Sequence, residues 1–311
     1  MQQVFEPVMY EGGVYKHSLI LEIVEDLGGY IIQINVMQSD VVILMLVPLD
    51  DLELVEALAK KLLGKITHAP LTGTEIAIVA PTVAYHHLPH PACDIAEYLR
   101  RKGSKTNIIG LSRGIGRRIA QINAHERKLI NEHDAALFIF GNFEDCIKNQ
   151  KPKLYKDLDI PVIITGGPNL ETYEVPYASE YIGNIGRISH RMRRGHELEL
   201  LETLADRVGA CLNRYRMELA KDPLSVAPPR VMKEIREQVP EVLDILSPMP
   251  ITPQLNGVRV KLPYKEFHKP IEEVQFEEGT TLKEIAKIEK SEIRDYILVK
   301  ILPISETGFR I

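Results

Sequence analysis

Between Thr74 and about Ala220 the chain alternates short apolar runs with single helical segments, and this rhythm limits the fold more than any other feature of the sequence. The runs read EIAIVAP, KTNIIGL, AALFIFG and PVIITGG. Between them lie the stretch after Cys93, the segment NAHERKLINEH and the short NFEDCIKN, and a long charged helix beginning near His190 follows the last run. Strands separated by one helix each imply a parallel sheet with right-handed crossovers. Residues 71–220 are therefore expected to form a doubly wound parallel α/β domain, with any ligand bound outside the carboxyl ends of its strands.

The residues before this domain follow another order. An apolar strand near Val4 to Tyr10 precedes a helix from Lys16 to Leu27, the strands YIIQINV and DVVILMLV, a helix from Leu49 to Leu63 and a strand near Lys65 to Ala69. Gly28 and Gly29 stop the first helix, and Gln38-Ser39-Asp40 turns between the middle strands. The order βαββαβ predicts a ferredoxin-like module over residues 1–70. The name describes topology alone, since this segment carries no cysteine and a fold by itself assigns no chemistry.

Beyond Lys221 prolines gather between Pro223 and Pro253, and LSPMPITP reads as extended chain with little regular structure. A strand GVRVKLP, a helix TLKEIAKIE and a strand DYILVKILP follow. Residues 221–311 are expected to form a proline-rich arm with a small α+β cap, which either wraps a partner or packs on its own chain.

Composition narrows the partners. A formal net charge of −5 argues against nucleic acid, because phosphate binding needs concentrated Lys and Arg. No apolar run approaches the ~20 residues that cross a bilayer, and DVVILMLVP has the length of a buried strand. The start, MQQVFEPVMYEGG, lacks the basic-then-apolar order of a secretory signal. The expectation is a cytoplasmic chain without a membrane partner. Its 3 cysteines lie far apart, which in a reducing compartment favours free thiols or metal ligands over disulfides.

The densest group of ligand-type residues is HHLPHPACDIAEYLRR, from His86 to Arg101. Pro89 and Pro91 fix φ and hold His90 extended, so the helix starts only at about Ala92. Cys93 then falls in a first helical turn, where unpaired N–H groups favour an anionic sulfur; cysteine is equally a small apolar residue. Cys146, in GNFEDC, also comes just past a strand end and near a helix start. Right-handed parallel connectivity puts both on one edge, as an iron-sulfur or zinc site requires. Neither has tight C-x-x-C spacing, and missing ligands would come from His86, His87, His90 or a partner chain. Cys211 aligns with Leu204 and Val208 at helical spacing and reads as a core residue.

The turn LSRGIGRR places Gly114 and Gly116 among Arg113, Arg117 and Arg118. It either cradles an anionic group or is a solvated basic loop. It is no P-loop, because G-K-[ST] is missing, and TGGPN after the fourth strand is a bare glycine turn. GRISHRMRRGHE adds Arg187, Arg191, Arg193 and Arg194 with His190 and His196, a face that is solvated or paired to a protein. H-E-x-x-H does not occur. Glu144 and Asp145 adjoin in sequence, so they need not face one another, and they receive no acid-base role.

Together YEGGVYKH, HHLPHPACDIAEYLRR, GNFEDCIKN and VRVKLPY resemble methanogenesis marker protein seven, a family of methane-metabolising archaea, over nearly the full length. The resemblance implies a non-nucleotide-binding subunit of the ATP-driven complex that reductively activates methyl-coenzyme M reductase. It implies McrC, other marker proteins, an ATP-binding component and the reductase itself as partners. It also implies an iron-sulfur cluster, akin to nitrogenase cofactor precursors and shared with a partner, for low-potential electron delivery. On that view Cys93 and Cys146 are cluster ligands, with His86, His87 and His90 secondary, and Arg113, Arg117 and Arg118 tune the potential. An electron-relay or assembly subunit is then expected in preference to a stand-alone enzyme. A purely structural adaptor and a stand-alone zinc-dependent enzyme remain as alternatives.

Overall fold

The computed structural model describes residues 5–81, 91–111, 121–185 and 194–311 of the 311-residue chain. Two compact units emerge. One comprises residues 1–74, 102–104 and 222–311, the other residues 75–101 and 105–221.

The first unit begins with β1 (Phe5–Gly13), α1 (Ser18–Asp26), β2 (Tyr30–Met37), β3 (Asp40–Pro48), α2 (Leu52–Lys61) and β4 (Lys65–His68). The strands form an antiparallel sheet in the order β2-β3-β1-β4. Val8, Tyr10, Val41, Ile43 and Met45 turn to one face, where they pack with Ile20 and Val24 of α1 and Val55 and Ala59 of α2. The alternating pattern that sorts these residues also gives the sheet a second buried face, carrying Ile32 and Leu44.

The second unit supplies the next elements: β5 (Glu75–Ala80), α3 (Pro91–Arg101), β6 (Lys105–Gly110), α4 (Ala124–Asn131), β7 (Ala135–Ile139), β8 (Val162–Thr165), β9 (Glu180–Ile182) and α5 (Arg194–Leu219). The sheet is wholly parallel, in the order β6-β5-β7-β8-β9. Every residue of β5, β7 and β8 is buried, which explains their unbroken apolar runs. Ala77, Val79, Ala136 and Phe138 pack against Ile130 of α4, Leu154 and Tyr155 on one face. The alternate residues Ile76, Ile78 and Leu137 turn to the other face. Asn123 caps α4 through the Glu126 N–H at 2.8 Å, while the Glu126 carboxylate accepts from the Asn123 N–H at 2.8 Å.

Residues 222–311 return to the first unit. There α6 (Pro228–Gln238), β10 (Ile251–Gln254), β11 (Gly257–Val260), α7 (Tyr264–Glu272), β12 (Ala286–Lys290) and β13 (Ile297–Ile301) build a second antiparallel sheet, in the order β10-β11-β13-β12. The proline-rich arm expected here is instead folded chain. Val231, Met232 and Ile235 of α6, with Ile251, Val258, Val260, Ile297 and Val299, share one core with Ile32 and Leu44 of the N-terminal sheet and Ala69 just after β4. Pro228 and Pro229 open α6, since a missing N–H costs nothing in a first turn. The expected helix TLKEIAKIE is only a single turn, Leu282–Ile285, before the chain extends into β12.

Candidate functional site

The strand order reverses between β5 and β7. From β5 the chain moves outward to β6, and from β6 it crosses back past β5 to β7. With right-handed crossovers this puts α3 and α4 on opposite faces and opens a crevice at the carboxyl ends of β5 and β7. Ile76 pairs with Ala135 and Val79 with Phe138, so the two strands end side by side.

Cys93 and Cys146 are the described thiols beyond these two ends. Cys93 lies exposed in the first turn of α3, which follows β5. Ala92, Ile95, Ala96 and Leu99 bury the opposite side of the helix, so the thiol is turned away from the core. Cys146 is half-buried and begins a π-helical turn, Cys146–Gln150, that follows β7. Its carbonyl accepts the Lys151 N–H at 2.9 Å. Single π turns of this kind recur at functional sites.

The loop carrying Cys146 is fixed by its neighbours. Phe140 donates its N–H to Thr165 O at 2.9 Å, Gly167 to Gly141 O at 3.1 Å, and Gly166 to Ile182 O at 3.2 Å, so the turns after β7, β8 and β9 are sewn together. Gly166 sits in close quarters: a Cβ there would meet Ile147 Cδ1 at 2.6 Å and Tyr181 Oη at 2.8 Å, so both side chains would have to shift. Lys148 Nζ reaches Glu144 at 2.6 Å and Glu174 at 2.8 Å, tying the Cys146 turn to the β8–β9 connection. Both carboxylates hold the Lys148 ammonium in its charged form, and Lys148 in turn draws the Glu174 carboxyl below its ordinary range. The Tyr181 phenol donates to Pro168 O at 2.8 Å and is pushed up to about 12 by burial, with Glu144 adding to the shift.

Of the other residues singled out in the sequence, His86, His87, His90, Arg113, Arg117, Arg118, Arg187, His190, Arg191 and Arg193 lie outside the described residues, as do the side chains of Arg194 and His196. Cys211 is buried at 3% exposure, as its helical spacing predicts, and burial raises its thiol pKa. Sequence reasoning missed its setting. Arg214 contacts Cys211 and pairs with Glu180 at 2.7 Å, and both Cys211 and Arg214 line a cleft of about 380 Å³ with Ser179 and Tyr215. Glu180 begins β9, so this cleft belongs to the amino edge of the sheet, opposite the rim that carries Cys93 and Cys146.

Iron-sulfur clusters take thiolate ligands, and two thiols on one rim meet that preference in part. Among the described residues no group of three or more His, Cys, Asp and Glu side chains is arranged to hold a metal ion. The described donor set therefore does not make a complete four-ligand site of its own. Among the described residues no helix is long and apolar enough to cross a membrane.

Residues 5–274 match the family model described as methyl-coenzyme M reductase operon protein C. The chain is also similar to an uncharacterized protein of Methanocaldococcus jannaschii, with 52% identity over 306 residues that span 98% of this chain and 96% of the relative.

Proposed function

Because the chain belongs to the methyl-coenzyme M reductase operon protein C family, which links it to that reductase, we propose that it is a non-nucleotide-binding subunit of the machinery that activates the reductase by reduction. Its part is to offer Cys93 and Cys146 as two thiolate ligands to an iron-sulfur cluster whose remaining ligands come from a partner chain. When bound, such a cluster supplies low-potential electrons. The chain's own residues hold the sulfurs in place: α3 anchors Cys93 through its buried face, and Lys148, Glu174 and Gly166 fix the turn that presents Cys146. The observation that carries this reading is the departure of both thiol-bearing segments from adjacent strand ends at the point where the sheet order reverses.

In this reading the N-terminal βαββαβ segment acts as a ferredoxin-like interaction module, and the narrower place in the marker-protein-seven family, with McrC, other marker proteins and an ATP-binding component as partners, belongs to the same proposal. Any nucleotide is hydrolysed by a partner, since no G-K-[ST] loop occurs in the chain. The experiment is metal and acid-labile sulfide analysis of anaerobically purified protein, alone and with the other operon products. Iron with sulfide that appears or rises in the complex supports a shared cluster. Zinc alone would favour a hydrolytic enzyme, and no metal in either sample would reduce the chain to an adaptor.

A further inference from the structure

We propose that the free edge of β2, from Ile34 to Met37, pairs with the same edge of a second copy of this chain. In its sheet β2 is an outer strand, joined on one side to β3. Its first half is occupied: the Arg236 guanidinium on α6 donates to Ile31 O at 2.8 Å and Ile32 O at 3.3 Å, where the ladder is broken by a bulge between Ile31 and Gln33. Beyond the bulge, among the described residues, no hydrogen bond reaches the outer side of Ile34 to Met37.

The register says which groups are free. Met37 and Asp40 close the hairpin around Gln38-Ser39, so they exchange both ladder bonds, as do Asn35 and Val42 two residues on. Ile34 and Val36 therefore turn their N–H and C=O groups outward. Edge strands are normally protected by charge or proline, and YIIQINVM has neither. Instead the edge carries exposed apolar side chains: Val36 is 54% exposed and Met37 47%. Val14 donates to Ser39 O at 2.9 Å, drawing the loop that carries Tyr15 against the hairpin turn.

The occupant follows from self-complementarity. In an antiparallel ladder about a two-fold axis at Asn35, Ile34 opposes Val36 of the second copy, and Val36 opposes its Ile34. Ile34 already packs in the helix-side core, and Val41 and Ile43, the partners of Val36 and Ile34 on β3, face the same way. The pairing so extends an existing apolar face. No charged residue of β2 opposes its own copy, whereas a charged edge strand from another protein would bury a charge against Val36 and Met37. Cys93 and Cys146 belong to the other compact unit, so a change at β2 leaves the proposed thiol ligands intact.

Sedimentation of the full chain from about 1 to 100 μM tests the pairing. The wild type is expected to pass from monomer to dimer with concentration. Val36→Lys sets a charge on each side of the axis, and Val36→Pro removes an N–H that the hairpin itself does not use. Each is expected to weaken the dimer at least ~10-fold with an unchanged circular dichroism melt. Asn35→Cys gives a second readout: position 35 faces itself in a closely spaced pair, so mild oxidation should produce a disulfide between the two introduced thiols, identified by peptide mapping. A wild type that stays monomeric throughout, a dimer indifferent to both Val36 variants, or a missing cross-link in Asn35→Cys would overturn the proposal. So would a monomeric wild type that loses a co-purifying protein on Val36→Lys, because the edge would then belong to that protein.

Discussion

Val79 and Phe138 lie opposite one another on the adjacent parallel strands β5 and β7, and the chain leaves these two strand ends toward Cys93 and Cys146. Two distant cysteines are brought to one rim by connectivity, without any C-x-x-C motif.

The three thiols differ in access, and alkylation should rank them. Cys93 is exposed, Cys146 half-buried and Cys211 buried, and burial also raises the Cys211 thiol pKa, which disfavours its reactive thiolate. Mass-spectrometric mapping after a brief iodoacetamide pulse under reducing conditions should find label on Cys93 first, Cys146 next and Cys211 last. Early labelling of Cys211 would mean that the face of α5 carrying it is not buried.

Gly166→Ala is expected to destabilise the chain by ~1–3 kcal/mol, because the new methyl group would press on Ile147 and the Tyr181 hydroxyl in a packed interior. Ile147 adjoins Cys146, so the same variant should change the alkylation rate of Cys146 and leave that of Cys93 alone. Gly141→Ala meets no atom of the described residues within 4 Å and serves as the control.

Stability should fall in alkali. Tyr98 is pushed up to about 12 by burial and by its bond to Glu202, and Tyr181 to about 12 by burial, against 10.0 for an ordinary phenol. As pH rises past 10 the unfolded chain gives up these protons while the folded chain keeps them, so the unfolded state gains. Melting temperatures measured between pH 9 and pH 11.5 should decline, and less steeply in Tyr98→Phe. A flat profile would refute the burial of both phenols.

The C-terminal residues should behave as core. Ile235→Ala removes a fully buried side chain that shares its cluster with Ile32 and Leu44, at an expected cost of ~2–5 kcal/mol. Removing residues 222–311 should accordingly unfold the N-terminal sheet, seen as lost circular dichroism; a peripheral arm would leave it folded.

How much of this was legible in the sequence depended on the kind of signal. The strands of the parallel sheet were visible because burial on both faces writes itself as unbroken runs such as EIAIVA and AALFI. Helix α6 was hidden, since Pro228-Pro229 reads as a breaker when it is in fact a helix start. Strand β12 was hidden too, because AKIEK lies on an edge and has one apolar face, so its charges resemble a helix. Strand β9, only Glu180–Ile182, is too short to register. At the candidate site, topology placed Cys93 and Cys146 on one edge from the sequence alone. The ties through Lys148, Glu174 and Gly166 join segments that only the folded chain brings together.

The most direct measurement compares Cys93→Ser, Cys146→Ser and Cys211→Ser, each purified anaerobically with the proposed partner proteins, for iron and sulfide content and for reductase activation. Serine keeps the size but weakens ligation by iron, so Cys93→Ser and Cys146→Ser should each lose iron and activation while keeping the wild-type melt. Cys211→Ser should cost at most ~1–3 kcal/mol, for burying a poorly paired hydroxyl, and keep its iron. Full iron and full activation in both Cys93→Ser and Cys146→Ser would contradict the account, and the two thiols would then be no more than neighbours on a sheet edge.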